Sequence, residues 1–128
     1  DWEMATLGDP LMDLGGSLAY WVQANDDPVF KMVGRQPSHL PGMLTRRQVV
    51  EYYLDRTGYK TDDWTFYEVF GLFRLAVIAQ QIYFRFHEGQ TKNPAFKNYW
   101  VLVNYLDLRC RVLIQLERFR GSRSDRRA

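Results

Sequence analysis

Cysteine and histidine are scarce in this sequence: there is one cysteine and there are two histidines in 128 residues. The single cysteine, Cys110, excludes an internal disulfide framework, and no cluster has the spacing of a zinc site. The longest apolar run, residues 69–82, is interrupted by Arg74, Gln80 and Gln81. It is too short and too polar to predict a membrane span, so we expect no membrane association. No secretion leader is visible, and we expect a cytoplasmic location.

A strong excess of one charge is also missing, since the net charge is only +2. Five arginines and one aspartate lie within residues 118–128, which leaves 12 basic and 14 acidic residues in the remainder. The body of the chain is therefore mildly acidic, and nucleic acid is not an expected partner of the folded part. The composition predicts one helical domain over residues 1–119 and a disordered, Arg-rich tail over 120–128.

Apolar residues are abundant, at 46% of the chain, and they recur at helical spacing. The fold class is predicted to be mainly α, because four segments show this periodicity between capping signals. A short strand at residues 1–4 is the most β structure that we expect. The four predicted helices cover residues 11–23, 45–58, 63–88 and 94–119, with a long loop over 24–44.

The third predicted helix is apolar on nearly every side from Val69 to Ala79, which places it at the centre of the core. Arg74 interrupts this stretch. A buried guanidinium group needs a carboxylate partner, and Asp13 and Glu51 are both candidates that the sequence does not rank.

The first residues, DWEMATLGDPLMDLG, contain the most specific pattern in the chain. Asp1 and Glu3 would lie on the same face of a strand, because side chains alternate along strands. Carboxylate oxygens are preferred ligands of Mg²⁺, so this pair is a candidate metal site. A two-residue pattern is weak by itself, and an exposed pair without function is the alternative reading.

The longer string D-W-E-x4-G-D-P-x2-D-L-G resembles a segment of the aminoglycoside phosphotransferase and choline kinase superfamily. These proteins are small-molecule kinases with a protein-kinase-like fold. The resemblance is strongest to the phosphotransferase group related to the kinase-like domain of some acyl-CoA dehydrogenases. Residues 53–58 and 64–76 resemble the following helices in order and spacing, so the similarity spans roughly residues 1–85.

This resemblance implies a role for three carboxylates. Asp1 matches the aspartate that holds Mg²⁺ on the phosphates of ATP, and Glu3 is a weaker second metal ligand. Asp13 matches an aspartate that gives structural support to the catalytic loop. The helices would form part of the C-terminal lobe and would help to bind a small-molecule alcohol acceptor.

The resemblance also implies that much of the enzyme lies outside this chain. In this family the phosphate loop, the strand lysine and the catalytic loop with its base precede the D-W-E segment. No catalytic or nucleotide-binding residue is therefore assigned here, and the N-terminal lobe is expected to be missing. Whether the chain is an enzyme stays open, and we expect no activity and no tight binding of Mg²⁺ or ATP by the chain alone.

A non-catalytic helical binding or oligomerisation module is the alternative function. Faces that the missing lobe would cover could drive association of two copies. The stripe over residues 96–113 and the helix over residues 11–22 are the faces from which we predict a homodimer.

Overall fold

The structure is a computed structural model that describes residues 5–34 and 36–125. The described residues form helices and no strand, which confirms the mainly α fold class and its four main helices. The short strand predicted at residues 1–4 lies outside the described residues. The elements are α1 (Pro10–Leu18), α2 (Pro28–Val33), α3 (Arg46–Thr57), α4 (Trp64–His87), a 3-10 helix (Pro94–Asn98) and α5 (Tyr99–Asp125).

Several helix ends follow the capping signals in the sequence. The Asp9 carboxylate accepts a hydrogen bond from the Leu11 amide at 2.9 Å, which satisfies a donor at the start of α1. Thr45 and Gln48 have the Thr-x-x-Gln spacing of a capping box and form one before α3, and Gly58 ends that helix with φ of 73°. Such a positive φ favours glycine, so these ends are specified locally.

The end of the first helix differs from the prediction because side chains outside the helix compete for its backbone amides. The first helix ends at Leu18, about five residues early. Beyond it, the Val22 amide donates to the Ser38 hydroxyl at 3.0 Å, and the Gln23 amide donates to Asp26 at 2.8 Å. These bonds replace the helical ones.

The predicted loop over residues 24–44 contains a short helix, α2. The Asp27 side chain accepts from the Phe30 amide at 3.0 Å, and Pro28 occupies the first turn. The Asp-Pro signal of this helix was present in the sequence, and we assigned it to the loop.

The last helix, α5, continues to Asp125, beyond the end predicted at Phe119. Arginine is a good helix former, and Arg120 lies 3.8 Å from Glu117 one turn earlier. The boundary between helix and tail is therefore not at residue 119. The disorder of the Arg-rich end stays a prediction.

Helix α4 packs between α1 and α5 and contributes to one apolar core. The buried core cluster contains Ala19, Val22, Phe30, Leu72 and Leu106. Only one side of α4 faces this core, however, and the opposite side is exposed. The helix is central to the packing, as predicted, but it is not buried all round.

The predicted burial of Arg74 is wrong. Its side chain is exposed, and neither Asp13 nor Glu51 forms an ion pair with it. Arg74 lies beside α1, with one guanidinium nitrogen near the backbone of Gly16. On this side of α4 the chain leaves a cavity, so the guanidinium group keeps access to water.

By length and composition alone, α4 could cross a membrane: it has 24 residues and a mean hydropathy of 1.2 over its most apolar window. It is longer than the apolar run from which we expected no span. One such helix is weak evidence, because core helices of other proteins share these properties, and the absence of membrane association stays a prediction.

Two glycines set the distance between α1 and α4. A Cβ atom added to Gly71 would lie 2.1 Å from the Gly15 carbonyl oxygen, and one added to Gly15 would lie 2.3 Å from the Tyr67 carbonyl oxygen. Both distances are far below van der Waals contact, and backbone atoms cannot rotate away. The two helices therefore touch through their backbones.

Replacing Gly71 by alanine is expected to destabilise the fold by about 1–3 kcal/mol or more, because it forces the two backbones apart. Gly16→Ala is the matched control. Its Cβ would meet only a side-chain nitrogen at 3.8 Å, and alanine favours helix by roughly 0.5–1 kcal/mol. Urea unfolding measures both variants, and equal free energies of unfolding would contradict the backbone contact.

Candidate functional site

Of the three predicted site residues, Asp13 is the one that lies within the described part of the chain. Asp1 and Glu3 lie outside it. Asp13 is exposed on α1, one turn after the capping residue Asp9. Asp13 makes no hydrogen bond or ion pair with another residue in the ranges 5–34 and 36–125, so its carboxylate is available to a further group.

Asp13 lines a cavity of about 410 Å³ between α1, α4 and the segment that follows α1. Ser17 lies on the same side of α1, and Arg74 reaches the cavity from α4. The contact between Gly15 and Gly71 holds these two helices together at this place. The cavity therefore presents a carboxylate, a hydroxyl and a guanidinium group that are not paired with one another.

A second cavity of about 210 Å³ adjoins the first, since Tyr20, Gln36, Leu75 and Ile78 line both. Its other walls are mainly apolar and include Val22, Phe30, Ala79, Ile82 and Leu102. The pair of cavities combines a polar opening with an apolar interior. Such a combination of apolar walls and few polar groups is typical of small-molecule sites.

The segment between α1 and α3 is held against the helices by Asp26. The Asp26 side chain is only 5% exposed and accepts two hydrogen bonds from Arg46, at 2.6 and 2.7 Å. A second guanidinium group, from Arg109 on α5, lies 3.3 Å from the same carboxylate. Asp26 thus joins the segment to the start of α3 and to the middle of α5.

A neighbouring set of contacts extends this connection. The Tyr105 hydroxyl donates to Asp27 and accepts from Arg109 at 3.2 Å. The Arg109 guanidinium group also lies over the Phe30 ring, 4.3 Å from its centre. Because Phe30 lines the apolar cavity, this ion-pair network fixes one wall of the candidate site.

The network changes the acid–base properties of its members. Burial of Asp26 would raise the pKa of its carboxyl group, but the hydrogen bonds and charge of Arg46 and the charge of Arg109 outweigh burial and lower it. Burial and the hydrogen bond to Asp27 raise the pKa of Tyr105. Asp26 therefore stays ionised and Tyr105 stays a hydrogen-bond donor at neutral pH.

Sequence reasoning missed this network, because ion pairs over 20 and 83 positions leave no local spacing. The described residues contain no group of three histidine, cysteine or acidic side chains that could hold a metal. Cys110 lies beside the core, and burial raises the pKa of its thiol. It is partly buried and packs against the core.

Acid is expected to weaken the fold through Asp26. Its pKa in the folded chain is below the ordinary value of 3.8, so its stabilising effect is complete above that value. The effect is lost as the pH falls through the folded pKa. Chemical unfolding between neutral pH and about pH 3 should show this loss.

Asp26→Asn should cost about 3 kcal/mol at neutral pH, because it leaves two largely buried guanidinium groups uncompensated. It should also reduce the loss of unfolding free energy that the parent chain shows as the pH falls. Asp107→Asn is the control, since Asp107 is exposed and pairs only with Arg111 on the same helix. If both variants unfold alike, the network does not hold the segment.

Comparison with known proteins gives relatives for part of the chain. It is 35% identical over 95 residues to acyl-CoA dehydrogenase family member 10 of Mus musculus, which covers 73% of this chain and 9% of that protein. It is 30% identical over 100 residues to family member 11 of the same species, covering 73% of this chain and 12% of that protein.

A plant protein, the probable acyl-CoA dehydrogenase IBR3 of Arabidopsis thaliana, is 33% identical over 93 residues, or 70% of this chain and 11% of that protein. No protein-family model and no solved structure matches the chain. The chain spans about a tenth of the length of the curated relatives that it matches. It is thus related to a short segment of proteins that are named acyl-CoA dehydrogenase family members.

Proposed function

We propose that the chain is part of an ATP-dependent phosphotransferase that transfers phosphate to an alcohol group of a small molecule. The observation that carries this proposal is Asp13, an exposed carboxylate held on the α1–α4 contact at the edge of a cavity. The relatives support it as well, because they bear the name of the dehydrogenases to which the D-W-E string pointed.

The relatives' names do not transfer dehydrogenase activity to this chain. The similarity covers only 9–12% of those proteins, so a name that describes the whole protein need not describe this part. A phosphotransferase part within a larger protein is consistent with both the string of motifs and the limited coverage. The function of this part has to be argued from the residues of its site, and neither the fold nor the relatives' names establish it.

Within this proposal, Asp1 is the ligand that would hold Mg²⁺ on the nucleotide, with Glu3 beside it. Carboxylates have the right donor chemistry for this ion, which would neutralise charge on the phosphates when bound. Asp13 would accept hydrogen bonds from backbone amides of the catalytic loop. Because Asp13 lies on a helix, it would hold the catalytic loop at a fixed position relative to the acceptor.

The two cavities beside Asp13 and Arg74 suit the remaining parts of this site. The polar cavity would receive the catalytic loop, and the apolar cavity behind it would contribute to acceptor binding. Phosphoryl transfer depends on several groups being positioned at once. We therefore infer that the chain alone is inactive and that another part of the enzyme completes the site.

The first test is an assay for phosphate transfer from ATP to a panel of alcohols, with the purified chain and with any longer product of the same gene. We expect no turnover above background with the chain alone and ATP-dependent transfer with the longer protein. Sustained turnover by the chain alone would contradict the division of the site between two parts.

A substitution in the longer protein tests the role of Asp13. Asp13→Asn should lower kcat by about tenfold to a hundredfold, the cost of misplacing a catalytic group, with little change in KM for ATP. Asp55→Asn is the control, because Asp55 is exposed on α3. Equal kcat values for the two variants would remove Asp13 from the site.

The alternative is a non-catalytic helical binding or oligomerisation module, which the large exposed apolar side of α4 favours. Binding of Mg²⁺ and a nucleotide by the longer protein separates the two functions. If isothermal titration detects no nucleotide binding, the non-catalytic module is the better description.

A further inference from the structure

Helix α4 carries a regular apolar row on the side that faces away from the core. Its positions alternate by four and three residues, which is the spacing of a helix–helix seam in a coiled coil. Phe66, Phe73 and Phe84 in this row are 53%, 60% and 56% exposed. The row, here called the α4 seam, consists of Phe66, Phe70, Phe73, Val77, Gln80 and Phe84.

The fold of the chain does not require the α4 seam. The opposite side of α4 already supplies Gly71, Leu72 and Ala79 to the core and to the contact with α1. An exposed second apolar side with regular spacing indicates that α4 packs against a second partner. This double use explains why the α4 sequence is apolar on nearly every side.

The surface beside the seam is concave and apolar. Two open grooves of about 610 and 470 Å³ lie between α4 and α5, and Phe73 lines both. Val69 and Ile114 line the first groove, and Val103 and Cys110 line the second. Charged side chains also line both grooves: Asp63, Glu117 and Arg118 in the first, and Asp107 and Arg111 in the second. This is the form of a surface that receives a helix.

The size of the surface fits a dimer interface. Phe84 follows Phe66 by eighteen positions, so the seam is about 27 Å long at 1.5 Å per residue. With α5 alongside at about 8–10 Å, the face covers on the order of 500 Å² in projection, and more in accessible surface. Two such faces bury roughly 1,000 Å² or more, which reaches the range of specific interfaces.

We propose that this face binds a second copy of the chain, with the two α4 helices parallel and in register across a two-fold axis. The seam supplies its own complement, because the same spacing is present on both copies. Gln80, the one polar residue of the seam, decides the orientation. In the parallel pair, Gln80 lies opposite Gln80 of the other copy, and the two side-chain amides form hydrogen bonds with each other.

An antiparallel pair would instead bury the Gln80 amide against an aromatic ring such as Phe70. An unpaired buried amide is costly, and a single paired polar residue in a seam fixes register. The helix over residues 11–22 and the stripe over 96–113, from which we predicted a dimer, bury Leu18, Val22 and Leu106 in the core. Val103 and Cys110 of that stripe nevertheless line the second groove, so the interface includes part of the predicted stripe but has its centre on α4.

The test is the mass of the purified chain in solution, measured by light scattering and sedimentation over a wide range of concentrations. We expect a reversible dimer of twice the 15.2 kDa chain mass. Phe73→Glu should weaken association at least about thirtyfold, as removal of an interface hot spot does. Tyr52→Glu is the matched control, since Tyr52 is 58% exposed on α3 and away from the seam, and it should leave the dimer intact.

A cross-linking experiment tests the register without depending on the glutamate variant. Phe73→Cys in a Cys110→Ala chain should form a disulfide-linked dimer on mild oxidation, and Tyr52→Cys in the same chain should not. Far-UV circular dichroism checks that each variant keeps its helix content. A dimer whose Phe73→Cys variant does not cross-link would overturn the parallel register.

Other occupants of the face give different results. A chain that stays monomeric at every concentration overturns the proposal. A monomer that binds lipid vesicles through Phe73, while the Phe73→Glu variant does not, overturns it in favour of a membrane surface. A dimer that survives Phe73→Glu also overturns it, because association would then use a different surface. None of these results depends on phosphotransferase activity.

Discussion

The backbone contact between Gly15 and Gly71 is the constraint on which the rest of the structure depends. A Cβ atom at either position would overlap carbonyl atoms of the neighbouring helix, so any larger residue separates α1 from α4. Asp13 and Ser17 lie on one of these helices and Arg74 on the other, and all three reach the same cavity. The distance between the candidate site residues is therefore fixed by the absence of two side chains.

The ion-pair network around Asp26 gives a defined shape to the long connection between α1 and α3. The segment between α1 and α3 is rich in turn residues, and its described residues contain one short helix, α2. One nearly buried carboxylate binds Arg46 and Arg109, and through them the segment is attached to α3 and α5. Because Tyr20 and Phe30 from this segment line the cavities, charge pairing here shapes an apolar wall elsewhere.

Helix α4 connects the proposed activity with the proposed association. Toward α1 it presents Arg74 and the glycine contact of the candidate site, and away from the core it presents the α4 seam. Both surfaces lie on one rigid element, so a second copy on the seam would leave the Asp13 cavity open on its own side of the helix. In the two proposals together, a chain that is about a tenth of its relatives' length would carry part of a site and an interface.

The sequence alone determined the local features of this protein: the mainly α class, the caps at Asp9 and Thr45, and the left-handed end at Gly58, because each depends on neighbours within one turn. It also pointed to Asp13 through a string of motifs. Only the tertiary structure decided that Arg74 is exposed, that α1 stops at Leu18 and that Asp26 binds two arginines. Asp26 lies 20 and 83 positions from its two arginines, and the Val22 amide lies 16 positions from the Ser38 hydroxyl that it binds. No local spacing encodes which distant groups will compete for a carboxylate or a backbone amide.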